Sequence, residues 1–255
     1  MTPAPTMFQR YRARNPGQSF SNMLVFEACW RALHLLFAIC FRVRRYGMDR
    51  VPPHGPLLVV ANHESHLDPP LVGLCITNRH LSFVAREGLF RNRFFGALIT
   101  ALNSLPVGED RSDLRGIRTF LKYLGERKAL LIFPEGSRTP DGRLQEFKRG
   151  TWLLLSRARC PVLPVAVRGC YEAWPRRRAL PTIFGPPVSC MVGRPIPAEQ
   201  LIVLGADGAL ALLRARITEL RGELDRLAHP EFVPVPLDPS RAVPKVPATP
   251  TAASA

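Results

Sequence analysis

Residues 56–70 read PLLVVANHESHLDPP, an apolar run that passes directly into polar residues and then into two prolines. An apolar run of this length, bounded by turn-forming residues, predicts a buried strand over Pro56 to Ala61. Pro69 suits the first turn of a helix, and Asp68 before it is then the predicted N-cap. The stretch therefore predicts a strand, a polar turn and a helix, which is the repeating unit of a parallel α/β sheet.

The same alternation continues along the chain. Further strands are predicted at 81–85, 129–133, 162–167 and 187–192, and helices at 69–77, 87–102, 113–127, 149–158 and 210–227. We therefore expect a single α/β domain with a mainly parallel sheet flanked by helices. The expected division is an N-terminal segment at 1–46, the folded domain at 47–229, and a disordered tail at 230–255 that is rich in Pro and Ala.

The composition favours a polyanionic neighbour. With 35 Lys and Arg against 20 Asp and Glu, the net charge is +15, which suits either nucleic acid or an anionic lipid surface. The sequence lacks an RNP-like or helix-turn-helix pattern, and its basic residues flank apolar helices, so no nucleic-acid partner is expected. The six cysteines form no CxxC pair, which is typical of free thiols in a reducing compartment, and no metal site is predicted.

The N-terminal part predicts a helix near a membrane. Residues 1–18 show no secretory signal pattern, so a cytosol-facing protein is expected. The apolar stretch Met23 to Phe41 is interrupted by Glu27, Arg31 and His34, so it does not qualify as a spanning helix. Two interpretations remain, an amphipathic helix lying in the headgroup region or a helix packed on the core. The arginines that follow at once, and a second aromatic and basic stretch at 174–178, favour membrane contact.

His63 and Asp68 are the first candidates for chemistry. Five residues on a continuous helix would separate them by about 140°, so they can meet only across a turn. If they meet, the carboxylate orients the imidazole and stabilises the imidazolium formed when His63 takes a proton from a substrate hydroxyl. A surface histidine followed by a helix cap is the alternative, because this spacing alone is weakly specific.

A second polar loop follows another predicted strand, at FPEGSRT, residues 133–139. Pro134 and Gly136 favour a tight turn there. Ser137, Arg138 and Thr139 are donors suited to a phosphate, and Glu135 could orient a hydroxyl or hold Arg138. An ordinary polar loop would explain the proline and the glycine but not the whole string.

Together, NHxxxxD and FPEGSR resemble the first and third motifs of the glycerolipid acyltransferase family, the 1-acyl-glycerol-3-phosphate acyltransferases. The resemblance extends along most of the chain through a basic loop at 105–111, the run FKRG at 147–150 and a proline-containing strand at 162–167. It implies a one-domain α/β enzyme that moves a fatty acyl group from acyl-CoA or acyl carrier protein to the free hydroxyl of a lysophospholipid. It also implies that no cofactor and no acyl-enzyme is involved.

By this resemblance His63 is the catalytic base and Asp68 its orienter. Substrate binding falls to a set of residues from the two basic loops, namely Arg111, Glu135, Gly136 and Arg138, with Ser137 as a further donor. The family's aspartate-arginine pair usually follows the hydrophobic residues directly, whereas Gly108 and Glu109 intervene here. Arg115 or Arg118 could therefore serve in place of Arg111.

The expected partners are a membrane phospholipid surface, a lysophospholipid acceptor and an acyl-CoA or acyl carrier protein donor. The expected location is peripheral or monotopic, on the cytoplasmic face of a membrane. Two alternatives stay open: an acceptor of another class, such as a lyso-aminolipid, and a non-catalytic membrane-binding module on the same scaffold.

Overall fold

The computed structural model describes residues 20–101, 104–107 and 114–228. The predicted tail at 230–255, residues 1–19 of the N-terminal segment and Arg111 lie outside the described residues. The expectations that concern them therefore stay predictions.

Helices and strands alternate through the described residues. The helices are α1 (Phe20–Phe41), α2 (Asp68–Cys75), α3 (Arg93–Ala101), α4 (Leu114–Gly125), α5 (Arg149–Ala158), α6 (Cys170–Ala173), α7 (Ala198–Val203) and α8 (Gly205–Ala228). The strands are β1 (Arg44–Tyr46), β2 (Leu57–Ala61), β3 (Leu81–Arg86), β4 (Ser104–Val107), β5 (Ala129–Ile132), β6 (Val162–Arg168) and β7 (Ser189–Val192). Two short 3₁₀ turns lie at Met48–Arg50 and Glu87–Phe90.

The strands of the described residues form one seven-stranded sheet in the order β1-β7-β6-β2-β5-β3-β4. β2 lies near the centre and pairs in parallel with β5 on one side and β6 on the other. β6 and β7 pair antiparallel, whereas β1 and β7 pair in parallel, so β1 and β7 run opposite to the other five strands. The carboxyl ends of β2, β5 and β6 therefore meet at one edge, where ligands of such sheets gather.

Side-chain alternation along β2 divides the core into two layers. Leu57, Val59 and Ala61 pack in a cluster with α1 and α2, while Leu58 and Val60 pack with α4, α5 and α8 on the opposite face. All five residues of the strand are fully buried. Successive side chains of a strand point to opposite faces, and a strand covered on both sides is continuously apolar, as this one is.

The structure confirms the predicted α/β class and the mainly parallel sheet. The predicted basic loop at 105–111 is wrong in its first part, because residues 104–107 form β4 and pair with β3. β4 contains Pro106, which is tolerated because β4 is an edge strand. The predicted helix at 87–102 is divided into a 3₁₀ turn and α3. β1 precedes the predicted domain boundary at 47 and nevertheless belongs to the sheet.

Helix α1 packs on the domain and also presents apolar residues outward. Phe37 and Phe41 are buried in the first core layer, whereas Leu35, Leu36 and Ile39 are exposed. Among the described helices none combines the length and the apolar character needed to cross a membrane. Because apolar residues occur on both sides of α1, its amphipathic character is not confirmed, and its membrane contact stays a prediction.

Candidate active site

The polar turn after β2 begins with Asn62, which extends the sheet by its side chain. Its Nδ2 donates to the carbonyl oxygen of Val167 at 3.0 Å, and the Val167 N–H donates to its Oδ1 at 2.8 Å. The amide thus takes the place of one backbone pair between β2 and β6, and Asn62 is 1% exposed. This anchor lets the main chain leave the sheet at His63. Sequence reasoning gave Asn62 no role.

His63 and Asp68 meet across this turn. His63 Nδ1 lies 2.7 Å from Asp68 Oδ2, with the histidine side chain 18% exposed and the aspartate fully buried. Since a carboxylate only accepts hydrogen bonds, Nδ1 carries the proton, and Nε2 is the ring nitrogen left to accept one. The two side chains therefore meet across a turn, as the sequence requires for a base and its orienter. Their catalytic roles stay predictions.

Asp68 is not the N-cap that the sequence predicts, because Leu67 occupies that position and Asp68 opens α2. Its side chain instead points back along the chain, where Oδ2 also accepts from the backbone N–H groups of Glu64 at 2.6 Å and Ser65 at 2.7 Å. One carboxylate oxygen therefore holds the imidazole and two amides of the same turn. This arrangement fixes the tautomer and the ring orientation before any substrate binds.

The loop after β5 supports the turn from its other side. The His63 ring stacks on Phe133, with centroids 3.9 Å apart and planes 14° from parallel. Glu135 Oε1 accepts from the His63 N–H at 2.6 Å, and the Thr139 N–H donates to the His63 carbonyl at 2.8 Å. The peptide groups on both sides of His63 are thus held by the second loop.

Glu135 contacts two backbone amides. Its second oxygen, Oε2, accepts from the Gln145 N–H at 2.8 Å, and the residue is 3% exposed. Burial raises the pKa of this carboxyl, while the hydrogen bonds from Gln145 and His63 counteract that rise. These contacts join the two loops. The predicted substrate contact of Glu135 stays a prediction.

The remaining predicted binding residues lie on or near the same loop. Gly136 is exposed at φ 71°, in the left-handed region that a tight turn requires. Ser137 and Arg138 are half-buried beside it. Arg115 lies in the first turn of α4, and Arg118 is exposed on the same helix.

Glu64 is a buried acid that sequence reasoning passed over. It is 1% exposed, and burial, followed by the charge of Asp68, raises its pKa to about 8, while Arg221 acts in the opposite direction. A glutamate between a histidine and a serine in a polar turn carries no local signal of burial. Its partner Arg221 is far away in sequence, so only the tertiary fold brings the two together.

Within the described ranges no three His, Cys, Asp or Glu side chains lie close enough together to hold a metal ion. All six cysteines are free thiols.

The chain is similar to characterised acyltransferases. The family model described as Acyltransferase matches residues 42–168. The 1-acyl-sn-glycerol-3-phosphate acyltransferase of Bacillus subtilis is 23% identical over 205 residues, which cover 80% of this chain and 100% of that protein. The human 1-acyl-sn-glycerol-3-phosphate acyltransferase alpha is 28% identical over 158 residues, 59% of this chain and 53% of that protein.

Plant relatives and a solved structure extend the comparison. A chloroplast 1-acyl-sn-glycerol-3-phosphate acyltransferase of Arabidopsis thaliana is 25% identical over 138 residues, and the match spans only 38% of its length. The crystal structure of the 1-acyl-sn-glycerophosphate acyltransferase PlsC from Thermotoga maritima superposes with a TM-score of 0.65 at 25% identity, covering 80% of this chain and 79% of that chain. On the family match, the curated relatives and the shared fold, the chain belongs to the acyltransferase family.

Proposed function

We propose that this protein transfers a fatty acyl group from acyl-CoA or acyl carrier protein to the free hydroxyl of 1-acyl-glycerol-3-phosphate, giving phosphatidic acid. The acceptor is the one that the relatives' names give for those proteins. The observation that supports the chemistry is the 2.7 Å contact between His63 Nδ1 and the buried Asp68, which lies beyond the carboxyl end of β2, where ligands of such sheets gather. No nucleic acid takes part in the proposed reaction.

His63 acts as the general base in this proposal. Its Nε2 takes the proton of the acceptor hydroxyl while that oxygen forms a bond to the thioester carbonyl carbon. The carbon–sulfur bond then breaks, and the departing thiolate takes the proton back from the imidazolium. Asp68 stabilises that imidazolium through Nδ1, as an oriented carboxylate does in related base chemistry. Ser137, Arg138 and a cation from the 111–118 region hold the acceptor phosphate.

The test compares the wild type with two histidine variants. Purified protein in lipid vesicles is given acyl-CoA or acyl carrier protein and lysophosphatidate, and labelled phosphatidic acid is measured. His63→Ala should lower turnover by about 10²- to 10⁴-fold, the usual contribution of a general base. His54→Ala, which changes an exposed histidine outside the site, is the matched control and should keep wild-type turnover. Near-normal turnover of His63→Ala would refute the mechanism, and no product with any lysolipid would refute the activity.

The same proposal places the enzyme on a membrane surface. Two separate segments present exposed apolar side chains side by side: α1 through residues such as Ile39, and the loop after α6 through residues such as Phe184. They are joined where the Phe184 N–H donates to the Cys40 carbonyl at 2.8 Å. Exposed arginines flank both, at Arg42 and at 176–178. Apolar residues edged by arginines suit the headgroup layer of an anionic bilayer.

Vesicle sedimentation tests this surface. Ile39→Asp with Phe184→Asp should release the protein from vesicles that contain anionic lipid. Val203→Asp is the control, because Val203 is 85% exposed on α7, which packs against the opposite core layer. Equal binding of all three proteins would refute the assignment of this surface.

A further inference from the structure

The buried Glu64 side chain is surrounded by hydrogen-bond donors. Its Oε1 accepts from Arg221 Nη2 at 3.2 Å and from Asn62 Nδ2 at 3.4 Å, and its Oε2 accepts from the Tyr171 N–H at 3.2 Å. These partners come from α8, from the turn itself and from the short helix α6. The carboxylate therefore joins three parts of the fold at the edge where the site lies.

Arg221 makes a further contact that extends this connection. Its Nη2 also donates to the Gly142 carbonyl at 2.7 Å, in the loop that continues from residues 133–139. On the other side, the backbone N–H of Glu64 donates to Asp68 Oδ2 at 2.6 Å. Glu64 thus contacts Asp68 through its main chain and α8 through its side chain, one residue away from His63.

The hydrogen-bond donors around Glu64 favour an ionised pair, whereas burial opposes it. Burial and the neighbouring Asp68 raise the pKa of Glu64 to about 8, and Glu172 acts in the same direction, while Arg221 and Arg168 lower it. All three hydrogen-bond partners of the carboxyl are donors, which suits the ionised form because it only accepts, whereas the O–H of a protonated form has no acceptor among these three groups. The arginine is therefore the group that makes a carboxylate tolerable at this buried position.

We propose that the Glu64–Arg221 ion pair positions the proposed catalytic turn. The pair holds the turn against α8, so that His63 and Asp68 keep their mutual geometry. Neither residue touches the reacting atoms in this proposal. The inference rests on the proposed acyl transfer. Loss of the Glu64–Arg221 ion pair would displace His63 by a fraction of an ångström. A displacement of that size lowers turnover without changing the groups that hold the acceptor.

A double-mutant cycle in the full-length protein tests the proposal. Glu64→Met and Arg221→Met each leave a buried charge without its partner, and both should lower the melting temperature and lower kcat by about 10- to 100-fold. The double variant replaces the pair by apolar side chains of similar size, so its melting temperature should return to within a few degrees of wild type. Its kcat should stay low, because the contacts to Gly142 and Tyr171 are not restored.

A conservative variant provides an independent readout. Arg221→Lys keeps the positive charge but offers a single ammonium for the two acceptors, so kcat should fall by about 3- to 10-fold while the melting temperature stays near wild type. This variant decides the question if the double variant does not fold. Wild-type kcat in Arg221→Lys would then overturn the proposal.

The control and the kinetic constants separate the alternatives. Asp225 of α8 forms a neighbouring ion pair, in which its Oδ1 lies 2.6 Å from Arg168 Nε. Asp225→Asn removes the charge of that pair and should keep kcat within about twofold of wild type, as expected for a partly exposed pair. Arg221 also lines an open cleft of about 790 Å³, so a substrate-binding role would appear as a raised KM with kcat retained. That outcome, or recovery of kcat together with the melting temperature in the double variant, overturns the positioning role. An inactive wild type would instead refute the proposed function.

Discussion

Replacing Asp68 by asparagine separates the charge of this residue from its geometry. Oδ2 accepts all three hydrogen bonds of the side chain, from His63 Nδ1, Glu64 N and Ser65 N. Oδ1 is buried and has no hydrogen-bond partner among the described residues. The amide oxygen of the new side chain should therefore take the place of Oδ2, because its partners are all donors. The histidine tautomer is then preserved while the negative charge is lost.

The size of the effect follows from that difference. A hydrogen bond to a charged acceptor contributes about 1 to 2 kcal/mol more than a neutral one. Since each 1.36 kcal/mol or so is a factor of about ten, kcat for Asp68→Asn should fall by about 5- to 30-fold. Asp68→Ala removes the orienter and leaves two backbone amides unpaired, so its loss should reach about 10³-fold, within the range of a whole general base.

The assay measures phosphatidic acid formed from labelled lysophosphatidate, with His63→Ala as the reference for complete loss. Product formation is preferred to thiol detection because Cys29 and Cys40 are only half-buried and would also react with a thiol reagent. Equal losses for Asp68→Asn and Asp68→Ala would refute the reasoning, since charge and not orientation would then account for the whole role of Asp68. Full activity of Asp68→Asn would refute the imidazolium-stabilising role.

The remaining predictions concern stability and the second loop. Glu135→Gln should lose one of the two hydrogen bonds from backbone amides, which should destabilise the protein by about 2 kcal/mol and lower kcat. An unchanged melting temperature with a raised KM for lysophosphatidate would indicate that Glu135 contacts the substrate instead. Burial lowers the pKa of His80 to about 4, so between this value and its ordinary pKa the unfolded chain binds a proton at His80 that the folded chain does not bind. The free energy of unfolding should therefore fall by about 2 to 3 kcal/mol as pH drops from about 7 to about 4.5. Denaturant titrations at both pH values should show a fall that is smaller by this amount in His80→Leu. Gly47→Ala places a Cβ atom 2.3 Å from the Val192 carbonyl at φ +69°, which should lower the melting temperature by about 5–10 °C, and a neutral result would contradict the observed contact.

Much of the sheet was predictable because its strands are buried on both faces. A strand such as β2 is a continuous apolar run, and its end is marked by the change to polar residues at Asn62. The carboxyl end of β5 is marked in the same way before Glu135. Both candidate loops could therefore be placed at one edge of the sheet from local sequence alone.

Short edge strands and long-range contacts could not be predicted in this way. β1 is the tripeptide Arg44–Tyr46, whose polar sequence resembles a loop and becomes a strand only because β7 lies beside it. The Glu64–Arg221 contact joins residues whose separation in sequence leaves no local pattern. The N-cap prediction for Asp68 was wrong for a related reason: the residue type suits a cap, but its side chain satisfies the amides of the preceding turn instead.

The pairing of β1 with β7 has a consequence for the order in which the protein is completed on the ribosome. The last carbonyl groups of α1, at Cys40 and Phe41, accept hydrogen bonds from Phe184 and Val188. At the usual speed of synthesis, roughly ten seconds separate the appearance of these two parts of the chain. During that interval the last turn of α1 lacks these two donors, and β1 lacks β7 as its strand neighbour. The side of the sheet formed by β1 and β7 is therefore the last to close, after the strands that carry the two candidate loops have been synthesised.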